Sequence, residues 1–165
     1  MSAHFIEEKL EDAFAAALLT EHGGTLVQLG DMPVTDGGTI SGGALDGFNL
    51  YKGFSLGGVE PPFISTICAR SGPEDKPPAA FTGNQACELD IGVLGHKGDT
   101  TRTAHASNVG HVRDLMYASN LVDLMNAAGV AALTVLFARP GPAVRDTQFG
   151  MLKTSQKLRI LCRPS

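Results

Sequence analysis

The chain has 165 residues, of which 43% are hydrophobic and 18% are charged, and its formal net charge is −4. This length fits one domain, residues 1–165, with a core of its own, and the negative charge argues against a general nucleic-acid-binding protein. Three cysteines without CxxC spacing argue against a disulfide framework or a zinc site. We expect no cofactor and no metal.

The charge is divided between the two ends of the sequence. Residues 1–31 carry six acidic side chains and one lysine, whereas residues 139–165 carry six basic side chains and one aspartate. This asymmetry predicts head-to-tail contact between copies of the chain, unless both ends are ordinary solvated surfaces. The acidic, amphipathic N-terminus lacks the features of a signal peptide, so we expect the protein to be made in a cytoplasm.

The first third of the chain combines a predicted helix with a glycine-rich segment. Apolar residues recur at helical spacing over residues 4–21, and Gly23-Gly24 ends this helix before a short strand at Thr25 to Leu29. Residues 30–60 are rich in glycine and too long for an ordinary connection. We predict an inserted arm there, an extended loop or hairpin that orders against a partner. A loop folded over the protein's own core is the alternative.

Two strands are predicted in the middle of the chain, Phe63 to Ala69 and Ala86 to His96. The second strand alternates, with Glu88 and Asp90 on one face and apolar residues on the other. These apolar residues are Cys87, Leu89, Ile91 and Val93. We therefore expect one buried face and one acidic face that meets water or a lumen.

The last part of the chain predicts two helices and two strands. The first helix begins at Asp99 or Thr100 and ends at Met116, and the second runs from Asn120 to Ala128. The strands are Val130 to Ala138 and Met151 to Arg163. The first helix turns His105 mostly outward, and the final strand places Lys153, Lys157 and Arg159 on its polar face. Together the elements predict an α+β fold, an antiparallel β-sheet with two or three helices packed on one face.

No group of residues in the sequence predicts catalysis. The phosphate-loop, dinucleotide-binding, GxSxG and HExxH patterns are all missing. A small cytoplasmic enzyme or ligand-binding domain is the alternative class, and it would need a pocket formed by His96, Asp99, His105 and Glu88. We expect these histidines to be surface residues, and Glu88 and Asp90 to be a solvated strand face rather than a catalytic pair.

Three segments of the C-terminal half carry a family resemblance: CELDIGVLGHKGDTTRTAHASNVGHVRDLM, YASNLVDLMNAAG and VRDTQFGMLKTSQKLRILCRPS. With the N-terminal helix and the PPFI strand start at residues 61–64, they resemble the tail terminator (tail-completion) proteins of long-tailed bacteriophages. The resemblance covers residues 4–29 and 61–165. A neck or head-tail connector protein and a tail tube subunit are neighbouring alternatives in the same structural class.

The resemblance implies a structural virion protein that forms a hexameric ring at the head-tail junction. The ring would cap the tail tube protein, stop tube growth, meet a head-completion or neck protein, and let double-stranded DNA pass without sequence-specific binding. On this basis Glu88 and Asp90 would face the lumen, where like charge repels DNA. The predicted subunit-interface residues are the basic Lys153, Lys157 and Arg159, and Phe48, Tyr51 and Phe54 of the glycine-rich arm.

Overall fold

The computed structural model describes residues 6–53, 62–73, 84–95, 102–145 and 150–163. These ranges contain three helices and eight strands. The helices are α1 (Ile6–His22), α2 (Arg102–Met116) and α3 (Leu121–Ala127). The strands are β1 (Thr25–Val27), β2 (Gly37–Ser41), β3 (Asn49–Lys52), β4 (Phe63–Pro73), β5 (Gln85–Leu94), β6 (Ala132–Arg139), β7 (Ala143–Arg145) and β8 (Leu152–Cys162). Over the described part of the chain, no helix is long and apolar enough to cross a bilayer.

All eight strands belong to one sheet, in the order β1-β2-β3-β4-β5-β8-β6, with β7 also paired to β8. Every pair is antiparallel except β3 with β4, which is parallel. The sheet is therefore mixed, where the sequence predicted an antiparallel one. Ten residues separate Lys52 from Phe63, and this connection is long enough to bring the chain back to the same end of the sheet.

The three helices share one hydrophobic core with one face of the sheet, so the predicted α+β class is confirmed. Helix α1 contributes a stripe of Leu10, Phe14 and Leu18, all fully buried. The apolar residues predicted on one face of β5 are buried in the same core, which also contains Val109, Val112, Leu115 and Met116 of α2. Alternation and helical spacing place these residues correctly because both depend only on local backbone geometry.

The glycine-rich segment contributes β2 and β3 to the sheet, and its apolar residues contribute to the core. Ile40, Leu45, Phe48 and Leu50 are buried in the common core cluster. Gly37 begins β2 with a φ of 146°, and an added Cβ there would overlap the carbonyl oxygen of Leu50. Glycine is needed at this position because the β2 and β3 backbones approach each other closely. The described part of the predicted arm is thus built into the protomer's own sheet.

A polar contact joins α2 to β8 inside the otherwise apolar helix-sheet interface. His105 is 1% exposed, and its Nε2 is hydrogen-bonded to Thr154 Oγ1 at 2.7 Å. Arg113 Nε donates to Gln156 Oε1 at 2.8 Å, and Arg113 Nη2 donates to the Gly141 carbonyl at 3.0 Å. The prediction that His105 points outward is wrong, because the Thr154 hydroxyl gives the imidazole a hydrogen-bonding partner within the core.

Candidate assembly interface

The sheet has two outer edges, and each is formed by a strand that is paired on one side. Strand β1 forms one edge, which we call the β1 edge. Strand β5 pairs with β8 from Lys153 to Cys162, so β6 and β7 both lie on the other side of β8. Together β6 and β7 form the opposite edge, which we call the β6 edge. The two edges are separated by the full width of the sheet.

The β1 edge is acidic. Glu21, Asp31, Asp36 and Asp46 are all exposed on the segments that flank β1 and β2. Residues 21–46 contain no lysine or arginine to neutralise them. The carboxylates on these segments produce a negative surface. Lys52 lies beside it, since its N–H donates to the Asp36 carbonyl oxygen at 2.9 Å and its Nζ is 3.7 Å from Asp12 Oδ1.

The β6 edge is basic. Arg139 and Arg145 lie on β6 and β7, Lys157 lies on β8 opposite Arg139, and Arg163 follows β8. All four are exposed, and the described residues between 132 and 163 include no acidic side chain. The Arg139 guanidinium lies over the Phe137 ring, with 4.4 Å from Cζ to the ring centroid. This stacking holds the cation at the edge while leaving it in contact with water. The two ends of one sheet thus carry opposite charge.

The exposed apolar side chains are found mainly at these same edges. Five large hydrophobic residues are exposed among the residues that the structure describes. Val27 lies on β1, and Leu136 and Val144 lie on β6 and β7, whereas Val34 lies in the connection between β1 and β2. Tyr117, at the end of α2, is the fifth. Each edge therefore combines charge of one sign with exposed apolar surface, which is typical of a protein-protein contact.

Glu88 and Asp90, which the resemblance placed in a lumen, share a face of the sheet with the basic residues of β8. Glu88 lies opposite Arg159, and Asp90 lies opposite Lys157. Lys157 Nζ is 3.5 Å from Glu88 Oε1, and Glu88 is 7% exposed. Asp90 is half-buried, and its Oδ1 has no hydrogen-bond partner in the described ranges. Since Glu88 presents little charge to water, this face differs from the wet acidic face that alternation predicts. A lumen-facing role stays a prediction.

The predicted subunit-interface residues fall into two groups. Lys157 is exposed and Lys153 and Arg159 are half-buried, so the basic residues remain accessible on the β8 face. Phe48 and Tyr51 are 3% and 5% exposed, and the Tyr51 ring packs edge-to-face on Phe63. These two aromatic side chains stabilise the protomer itself and offer no surface to a second subunit. Phe54 lies outside the described residues.

The polar pocket required by the enzyme alternative is not assembled by the residues that the structure describes. His105 reaches Thr154 on the helix-facing side of the sheet. Glu88 lies on the other side of the sheet, because its neighbours on β5, Cys87 and Leu89, are buried in the core and successive strand residues point to opposite faces. His96 and Asp99 lie outside the described residues. No group of three histidine, cysteine or acidic side chains within those residues could hold a metal ion.

The three cysteines lie next to one another beneath the helices, an arrangement that their sequence spacing does not show. All are free thiols, and Cys87 and Cys162 are fully buried. A hydrogen bond with the Cys162 thiol raises the pKa of Cys87 to about 12. The pKa of Cys68 is raised by its hydrogen bond with Cys87 and by burial. The raised pKa values favour the protonated thiols of Cys68 and Cys87 at neutral pH, whereas the thiolate is the nucleophilic form.

Sequence reasoning missed Asp36 and Asp46 on the acidic side and Val27, Leu136 and Val144 among the apolar residues of the edges. The absence of lysine and arginine from residues 21–46 was the signal that could have indicated the acidic surface. No comparable signal marks the apolar residues, because strand order decides which strands lie outermost. No protein-family model matches the sequence, and a search of curated proteins found no match.

Proposed function

We propose that this chain is a subunit of a homo-oligomeric ring. The observation that carries the proposal is the opposite charge of the two ends of the sheet, acidic at the β1 edge and basic at the β6 edge. A surface that attracts a different surface of an identical copy produces head-to-tail contact. Repeated contacts of this kind close into a ring when the rotation per subunit divides a full turn.

The role we propose for the ring is that of a phage tail terminator. The resemblance of residues 4–29 and 61–165 to that family supports this role over other ring proteins. The ring would cap the tail tube, stop its growth and bind a head-completion or neck protein, while DNA passes through its lumen. A neck or head-tail connector ring would use the same two edges, so the binding partner distinguishes the two roles.

The assembly is tested by light scattering after size-exclusion chromatography and by electron microscopy of the same fractions. Near 0.1 M salt we expect closed rings, because head-to-tail contacts form a ring when the rotation per subunit divides a full turn. The family resemblance implies about six copies. Near 1 M salt the Debye length falls to about 3 Å, so the rings should dissociate if charge attraction holds them. A protein that is monomeric at low salt and at high concentration would overturn the proposed function.

The terminator role is tested by adding the purified ring to tail tube protein from the same phage during tube polymerisation. We expect rings at one end of each tube and shorter tubes at higher ring concentration, because a capped end adds no further subunits. The monomeric charge-reversal variants described below are the matched control. Tubes of unchanged length with unbound rings would contradict the terminator role and favour the neck alternative.

A further inference from the structure

We infer that the β6 edge of one copy pairs with the β1 edge of the next by main-chain hydrogen bonds, so that one sheet continues from subunit to subunit. This inference rests on the proposed ring and names the contact that builds it. The partner of each edge is a second copy of this chain.

Both edges have the backbone groups that such pairing requires. In the part of the chain that the structure describes, β1 is paired only with β2, and β6 and β7 are paired only with β8. The outer sides of these strands therefore lack a described strand partner. An exposed strand edge is a template for another strand, and strand addition provides a regular row of hydrogen bonds.

The side chains favour pairing between unlike edges. Val27 is 53% exposed on β1, and Leu136 is 46% exposed on β6, so a β1–β6 contact would bury apolar surface from both copies. It would also bring the carboxylates near β1 close to the arginines of the β6 edge. Pairing of two like edges would instead place charges of the same sign together, which disfavours symmetric dimers.

Cross-linking tests the contact directly. The variant V27C/L136C should form a ladder of disulfide-linked oligomers under mild oxidation, because side chains on neighbouring strands are within disulfide range. V27C/V144C tests pairing of β1 with β7 instead of β6. The unsubstituted protein controls for the native thiols, and Y117C controls for an exposed residue away from both edges. Assembled rings that give no ladder with either pair would overturn the inference.

A charge exchange tests the direction of the contact. E21K/D31K/D36K leaves three lysines and one aspartate at the β1 edge, so both edges become basic. R139E/R145E/R163E leaves three glutamates and one lysine at the β6 edge, so both edges become acidic. We expect each variant alone to be monomeric. An equal mixture should regain the oligomer, because every contact between unlike copies again joins opposite charges. D114K/D123K, which reverses two exposed charges on α2 and α3, should assemble normally. Failure of the mixture to assemble, with both variants folded, would contradict the inference.

The outcomes separate the inference from the proposed function. Rings that form without cross-links and without rescue by mixing would leave the ring subunit intact and exclude these edges as its contact. A monomeric unsubstituted protein would overturn both. Cross-linked ladders together with rescue by mixing would support both.

Discussion

At the scale of single residues, Glu11 links α1 to the sheet through a charged group that is partly buried. Its Oε2 accepts a hydrogen bond from the backbone N–H of Cys68 at 2.9 Å, next to a register shift in the β4–β5 pairing. Burial raises the pKa of Glu11, and the nearby charges of Asp12, Glu8 and Glu7 raise it further, although the Cys68 N–H opposes this shift. The hydrogen bond from the Cys68 N–H therefore favours the charged carboxylate, whereas burial and the neighbouring acidic side chains favour its protonated form.

This arrangement predicts a stability that depends on pH. A pKa higher in the folded than in the unfolded state gives stability that is present at low pH and is lost as the pH rises through the folded pKa. E11Q keeps an oxygen acceptor without the charge, so its free energy of unfolding should fall less than that of the unsubstituted protein between about pH 4 and about pH 7. Urea titrations at both pH values measure this difference, and parallel pH profiles would contradict it.

Substitution of Glu11 also measures how much its hydrogen bond to Cys68 contributes to the free energy of unfolding. E11A removes the acceptor and leaves the Cys68 N–H without this partner, so it should lower the free energy of unfolding by about 1–3 kcal/mol. E11Q is the matched control, and equal stability of E11A and E11Q would show that the hydrogen bond contributes nothing.

Two glycines predict opposite effects of the same substitution. An added Cβ at Gly110 on α2 meets no atom within 4 Å, so G110A should stabilise the helix by about 0.5–1 kcal/mol. An added Cβ at Gly141 would overlap the Ser155 carbonyl oxygen, so G141A should destabilise by about 1–3 kcal/mol. Thermal unfolding of both variants measures the signs, and a shift in the same direction for both would contradict the close approach at Gly141.

At the scale of elements, α2 is oriented on β8 by hydrogen bonds as well as by its apolar stripe. Val109, Val112 and Leu115 are buried against the core, and the bonds of His105 and Arg113 to β8 side chains flank this stripe. Apolar packing tolerates small displacements along a helix axis, whereas hydrogen bonds require specific distances. The polar contacts therefore fix the position of α2 against the strand that pairs with the β6 edge.

We predict that the hydroxyl group of Thr154 contributes more to the stability of the α2–β8 contact than its methyl group does. T154V keeps the size of the side chain and removes the hydrogen bond to the buried His105, so we expect a loss of about 1–3 kcal/mol in the free energy of unfolding. T154S keeps the hydroxyl and is the control. Chemical denaturation of the two variants decides the question, and a T154V protein at least as stable as T154S would disprove the role of the contact.

At the scale of the whole molecule, the sheet joins the glycine-rich segment to the core and separates the charges of the chain. Strands β2 and β3 lie between β1 and β4, so the acidic end is connected to the centre of the sheet through residues 37–52. The sequence predicted an inserted arm in this region. The described part of that segment instead occupies an interior position of the sheet, on which the β1 edge depends.

Deletion of residues 36–57 should therefore unfold the protomer, whereas an arm outside the core would leave it folded. The deletion removes the buried residues Ile40, Phe48 and Leu50 and two strands of the sheet. Two single substitutions are milder tests. L50A should lower the free energy of unfolding by about 2–5 kcal/mol, because it leaves a cavity. V34A, at an exposed position, should change the free energy of unfolding by no more than about 0.5 kcal/mol. Circular dichroism and thermal unfolding measure all three, and a deleted protein that unfolds cooperatively would contradict this assignment.

The amino-acid pattern was sufficient to establish the α+β class, the buried faces of α1, α2, β5 and β8, and the uneven charge of the chain. These features follow from periods of 2 and 3.6 residues and from composition, which involve only near neighbours in the sequence. Folding was needed to establish the strand order, the parallel β3–β4 pair, the burial of Phe48 and Tyr51, and the ion pair of Glu88 with Lys157. Each of these depends on pairing between segments far apart in the chain, and that pairing places the acidic and basic residues at opposite edges of one sheet.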